Sequence, residues 1–258
     1  MSKLCSFFFR IPNEYEVFRP WYLQFLQSLT SKRYFLEIGV GDGSSLTQDT
    51  DQQFQLGIAI EKNLNLLPTI CENCPNTRVI GKPIEDVDEP EIRALLAKSD
   101  SSFSNNEESE AIFDLIQLVH VLYYLKEDDW KKLFRRLVKQ VRVGGVIFAA
   151  LQDETSDYFC LYHQLTPHTY NLRKTGEWFQ SEFKDWQVTT EILPGKVTTD
   201  SLDTAQQMTE FMLCYLPFSP LPQRHLLTQW IKETLWQADS SLYVANNPQR
   251  ILVCRRMR

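Results

Sequence analysis

The sequence predicts an α/β fold with a mostly parallel sheet, and three observations carry that expectation. Apolar runs of strand length recur along the first part of the chain, at 34–38, 55–61, within 78–86, at 113–120 and at 146–151. Such short, continuous apolar runs are what strands buried on both faces look like. The last two runs are separated by a charged, helix-like stretch. Finally, three of the nine glycines fall within residues 39–43, directly after the first run.

That glycine cluster, Tyr34-Phe-Leu-Glu-Ile-Gly-Val-Gly-Asp-Gly43, sets the first functional expectation. At a strand-to-helix turn, glycine permits backbone angles that a Cβ forbids and lets a ligand lie against bare main chain. A helix beginning near Ser44 would point its free N–H groups at that ligand. The dinucleotide fingerprint G-x-G-x-x-G needs its third glycine at position 44, where this chain has Ser44. The spacing is instead E-x-G-x-G-x-G, opening with the carboxylate of Glu37. The second run ends in another carboxylate, Glu61, followed by Lys62, and a carboxylate at a second strand tip can accept hydrogen bonds from ribose hydroxyls. Each of these acids also reads as an ordinary strand-end residue.

The run from Glu37 to Gly43 resembles motif I of the class I S-adenosylmethionine (SAM)-dependent methyltransferases. The resemblance implies a Rossmann-like fold with a mostly parallel seven-stranded sheet flanked by helices, and SAM as cofactor with S-adenosylhomocysteine as product. It implies that Glu37, Gly39, Gly41 and Gly43 hold the methionine end and that Glu61 and Lys62 lie by the ribose. Ile84 and Glu85 would lie by the adenine, with Val119 lining the same cleft. Lys82 and Pro83 depart from the acidic pattern usual at the adenine turn.

Further segments are similar to those of the histamine N-methyltransferases. They are Asp114-Leu-Ile-Gln-Leu-Val-His-Val-Leu-Tyr-Tyr-Leu-Lys126, Met208-Thr-Glu-Phe211, Tyr243-Val-Ala-Asn-Asn247 and Tyr15-Glu-Val-Phe-Arg19. The likeness implies an acceptor site formed by Tyr15, Glu16, Phe18, His120, Tyr123, Tyr124, Phe211 and Asn247, with Glu14 an alternative to Glu16. His120 stands where that family has a glutamine. His120 and Tyr123 are the expected catalytic residues, His120 orienting the nucleophile and able to take its proton. On residue type alone the tyrosines and Phe211 read equally as core, His120 as a structural histidine, and Asn247 as a turn residue before Pro248.

The implied activity is methyl transfer to a nitrogen of a small imidazole or amine. Methylation of an oxygen, methylation of a protein side chain, and an idle interaction module of the same fold are the alternatives. A net charge of −6 argues against a nucleic-acid binder. No apolar stretch approaches the ~20 residues of a membrane span, and Phe7-Phe-Phe9 is too short for a signal-peptide core. Six scattered cysteines suit reduced thiols in a cytoplasmic chain, here expected to be a monomer. Cys71 and Cys74 read as incidental thiols, since zinc needs two further ligands and none of the four histidines pairs with them. No metal is expected.

The expected organisation is an N-terminal lid over 1–30, an α/β core over 31–152, and the rest of the sheet with substrate-binding insertions over 153–258. The polar, acidic stretch 99–110 reads as a loop. Beyond it, the sequence predicts helices at 175–183, 204–215 and 222–236, and strands at 186–193 and 250–255.

Overall fold

A computed structural model describes residues 12–43, 46–103, 111–165, 170–214 and 223–258, with the backbone alone for 12–15 and Cys214. In chain order the helices and strands are α1 (Pro12–Gln27), β1 (Tyr34–Ile38), α2 (Leu46–Asp51), β2 (Leu56–Ile60), α3 (Leu67–Asn73), β3 (Thr77–Ile80), α4 (Glu89–Ser99), β4 (Phe113–Val119), α5 (Glu127–Gln140) and β5 (Val141–Gln152). There follow α6 (Asp157–Leu165), α7 (Leu172–Glu182), β6 (Trp186–Leu193), β7 (Lys196–Thr199), α8 (Leu202–Cys214), α9 (Arg224–Trp230), β8 (Trp236–Gln237), β9 (Leu242–Asn246) and β10 (Gln249–Arg256).

The main sheet has seven strands in the order β3-β2-β1-β4-β5-β10-β6. Only β10 runs against its neighbours, pairing antiparallel with both β5 and β6. This is the mostly parallel, Rossmann-like sheet the sequence predicts. The connections reverse direction on either side of β1, which lies between β2 and β4. In open parallel sheets that switch point leaves a crevice beyond the strand ends, where ligands bind. A second sheet, β7-β9-β8, is antiparallel and stands in the C-terminal part. The sequence reading contains no counterpart of it. The third helix expected after residue 151 is α-helical only to Trp230 and continues as a π-helical turn over Ile231–Leu235.

Two apolar layers sandwich the sheet. On one face, α4, α5 and α7 bring Leu96, Trp130, Phe134, Leu137 and Phe179 against the sheet. On the other, α1 supplies Phe18, Tyr22, Phe25 and Leu26. The Phe25 and Tyr22 rings lie 5.1 and 5.3 Å from that of Phe148 on β5. Each fully buried side chain of this size stabilises the fold by about 1.5–3 kcal/mol. The helix from Phe18 onward is therefore fixed core, clamped further by paired hydrogen bonds of 2.8 Å from Arg19 to Asp49.

Candidate functional site

The glycine turn is built as its sequence requires. Gly39, Gly41 and Gly43 all have positive φ, at 72°, 63° and 70°. At Gly39 a Cβ would sit 2.2 Å from a methyl of Val121, so the turn is pressed against the loop that follows β4. At Gly43 it would crowd Ile70 and Cys74, whose thiol donates to the Gly43 carbonyl at 3.2 Å. Burial pushes that thiol up to about 12, so Cys74 is a neutral strut for the turn. At Gly41 a Cβ would meet nothing within 4 Å. Its surface is open, which is the form a cradle for a ligand needs. Ser44, the expected helix start, lies outside the described residues, and α2 is seen from Leu46.

Two buried carboxylates flank this turn. Glu61, just past β2, accepts from the Gly41 N–H at 3.0 Å and the Asn63 N–H at 2.8 Å, so it braces the turn directly. Glu37, at the end of β1, accepts from the Thr47 hydroxyl at 3.0 Å through one oxygen. Its other oxygen, Oε2, is buried with no partner among the described residues. Desolvation pushes the Glu37 carboxyl up to about 7, opposed by Gln117 and Thr47. A buried carboxylate with an unused oxygen beside an open glycine surface fits a cationic, hydrogen-bond-donating ligand end. The ammonium of SAM's methionine end is such a group.

The loop after β4 carries the other expected residues. His120 has a φ of 52° and donates its N–H to Ala150 at 2.9 Å, which extends the sheet by one rung. Its Nδ1 lies 3.1 Å from the Tyr123 hydroxyl. That hydroxyl also accepts the Gln152 N–H at 2.7 Å. Tyr123 is nearly buried, edge-on to Tyr170 at 4.9 Å, and Tyr170 donates to the Gln152 side chain. The Lys62 ammonium lies 4.7 Å from the centre of the Tyr124 ring. Val119 and Val121 are half-buried beneath.

The remaining expected residues fall in varied places. Ile84 and Glu85 share a short 3-10 turn after β3. The Ile84 carbonyl accepts from Arg136 at 2.8 Å, and Glu85 is exposed. Lys82 pairs with Glu91 at 2.8 Å. Phe18 stacks on Phe148 within the core, and Glu16 is exposed. The side chains of Tyr15 and Glu14 lie outside the described residues. Phe211 is half-buried on α8, and the next residue, Met212, takes a weak contact from Gln152 at 3.7 Å. Asn247 is buried at the β9–β10 joint, where it accepts from Ser156 at 3.0 Å and donates its N–H to Gly195. These hydrogen bonds hold the joint together.

Sequence reasoning passed over a buried polar group beneath the turn. Gln117 on β4 is fully buried and stands directly beside Glu37 in the strand register. The Tyr22 hydroxyl donates to its side-chain oxygen and lies 2.6 Å from the Thr50 hydroxyl. The available signal was a polar residue inside the apolar run 113–120. Asp114 gives the same signal but is structural, accepting the N–H groups of Arg33 and Tyr34 at the start of β1.

Neither a family model nor a curated protein sequence matches the chain. Solved structures do resemble it. The YcgJ protein of Bacillus subtilis aligns with a TM-score of 0.57 at 11% identity, over 92% of this chain and 99% of its own. A candidate methyltransferase, BH2331 of Bacillus halodurans C-125, aligns with a TM-score of 0.55 at 10% identity, over 92% and 97%. The plantazolicin methyltransferase BpumL, in complex with a pentazolic desmethylPZN analog and SAH, aligns with a TM-score of 0.52 at 12% identity, over 99% and 90%. At these identities the likeness is one of fold: the chain has the Rossmann-like fold of known methyltransferases.

Proposed function

We propose that this chain is a SAM-dependent methyltransferase acting on a nitrogen of a small imidazole or amine. The observation that carries the cofactor is the open glycine turn beside the buried, half-used carboxylate of Glu37. The fold shared with BpumL, a methyltransferase in complex with SAH, supports the same reading. In it Glu37 meets the methionine ammonium, and Gly39, Gly41 and Gly43 leave room for the main chain of the ligand. Glu61 and Lys62 lie by the ribose, and Ile84, Glu85 and Val119 around the base. When bound, SAM supplies a methyl group already activated on a positive sulfur, so no covalent enzyme intermediate is required.

The work left to the chain is positioning. Holding a nitrogen lone pair in line with the methyl–sulfur bond can lower the barrier by several kcal/mol, up to ~7–11 in the best intramolecular cases. The His120–Tyr123 hydrogen bond decides what His120 offers that nitrogen. With Tyr123 donating to Nδ1, His120 presents an Nε2–H donor that orients the acceptor. With His120 donating from Nδ1, Nε2 carries the lone pair that accepts the proton the nitrogen sheds. Tyr123 and Tyr124 flank this position, and Phe211, Asn247, Phe18, Tyr15 and Glu16 complete the acceptor site by the same reading.

The test is histamine-dependent formation of S-adenosylhomocysteine by purified protein supplied with SAM. Turnover establishes cofactor and acceptor class together. SAM binding without turnover removes histamine and moves the acceptor to other amines, hydroxyls or protein side chains. Failure to bind SAM leaves the idle-module reading.

A further inference from the structure

Two buried polar atoms beside the glycine turn lack partners among the described residues: Oε2 of Glu37 and Nε2 of Gln117. They belong to cross-strand neighbours on β1 and β4. An unmet acceptor and an unmet donor, both buried, are rare and costly. The two side chains stand side by side in the register, and Gln117, as a hydrogen-bond donor, opposes the rise of the Glu37 carboxyl. The orientation of the Gln117 amide is fixed from behind. Tyr22, on the N-terminal helix, donates to its Oε1, and Thr50 closes the same cluster. With Oε1 so engaged, only the Nε2 side is left toward Glu37.

We propose that Gln117 is a cofactor-positioning residue, locked by Tyr22 so that its amide holds Glu37 for the ammonium of the cofactor's amino-acid end. This rests on the methyl-donor reading of the site and adds to it a residue from mid-strand and one from the N-terminal helix. The helix thereby reaches the cofactor through three side chains, Tyr22, Gln117 and Glu37, without touching it. The Thr47 hydroxyl alone holds only one oxygen of Glu37. The amide supplies the opposing donor, so the carboxylate keeps one oxygen facing the turn.

The experiment compares two ligands by calorimetry. S-adenosylhomocysteine carries the amino-acid end, whereas 5′-methylthioadenosine is the same nucleoside thioether without it. Gln117→Leu should weaken S-adenosylhomocysteine about tenfold, the worth of a hydrogen bond to a charged group, and leave methylthioadenosine unchanged. Tyr22→Phe, which removes one hydroxyl and keeps the ring packing, should give a smaller loss in the same ligand only. Equal loss of both ligands would show a structural role and overturn the proposal, as would unchanged binding in both variants. If the native protein binds neither ligand, the methyl-donor reading itself fails.

Discussion

The Tyr123 hydroxyl lies 3.1 Å from Nδ1 of His120 while accepting the backbone N–H of Gln152 at 2.7 Å, so one oxygen ties the β4 loop to the end of β5. Tyr123→Phe removes both links. Leaving the Gln152 N–H without its acceptor should cost about 1–3 kcal/mol of stability, read by urea denaturation. It also releases the imidazole from its set orientation. Histamine turnover should fall in Tyr123→Phe and vanish in His120→Ala. His120→Gln, which restores a side chain able to donate and accept, should retain part of it. Full activity in His120→Ala across the pH range would remove any catalytic part for this residue.

The three turn glycines should respond differently to alanine. Gly39→Ala meets both a positive φ and a methyl of Val121 at 2.2 Å, within a packed loop that cannot yield cheaply. The loss should be at least about 2 kcal/mol. Gly41→Ala carries the backbone strain, about 1 kcal/mol, but its Cβ points into open space. It should fold nearly as well as the native protein and lose affinity for S-adenosylhomocysteine. Thermal melts and calorimetry on the same two variants separate the packing glycine from the ligand-facing one.

The sheet was legible because its strands are buried runs punctuated by turns. β1, β2 and β4 fall where the apolar pattern puts them, and β6, though mostly exposed, falls at the predicted residues 186–193. β5 starts earlier than its apolar run, at Val141, because Gly144 takes a φ of 81° and lets the strand pass through an irregularity opposite Phe113 and Leu115. Read in sequence, Gly144 and Gly145 resemble a plain turn. The small sheet was not legible, since β7, β8 and β9 are short and half-exposed, and β7 pairs with β9 from far along the chain. At the site, glycines and strand-end acids announce themselves by spacing. Gln117 and Tyr22 do not, since a polar side chain in a strand and a tyrosine in a helix acquire meaning only once packing sets them together.

Glu37 should make the protein less stable as pH rises. Its carboxyl is held up to about 7 from an ordinary value of 4.5 by burial. Below pH 4.5 it is protonated in both folded and unfolded chains and costs nothing. Between 4.5 and about 7 the unfolded chain releases the proton while the folded chain retains it, so folding stability falls through this window and levels off above it. The full penalty is roughly 3 kcal/mol. Glu37→Gln should therefore gain stability over the native protein at pH 8 and little at pH 4.5, by urea denaturation at the two values. The same variant should lose affinity for S-adenosylhomocysteine at pH 8. A gain equal at both pH values would place the shift elsewhere.

A second buried charge holds the opposite side of the same sheet edge. Arg250, at the start of β10, gives Nε and Nη2 to one oxygen of Asp153 at 2.7 and 2.6 Å, and Asp153 has no exposed surface. The other Asp153 oxygen accepts from Thr155, and its N–H goes to the Pro248 carbonyl. The pair thus fixes the corner where β5 ends and the β9–β10 joint, with Asn247, turns back into the sheet. Removing one partner strands a buried charge, so Asp153→Ala should destabilise by about 3–5 kcal/mol. Adding Arg250→Met removes that stranded charge, and the double variant should recover a large part of the loss in urea denaturation. Equal stability of single and double variants would mean that the Asp153 side-chain contacts to Thr155 hold the corner and that the ion pair is dispensable.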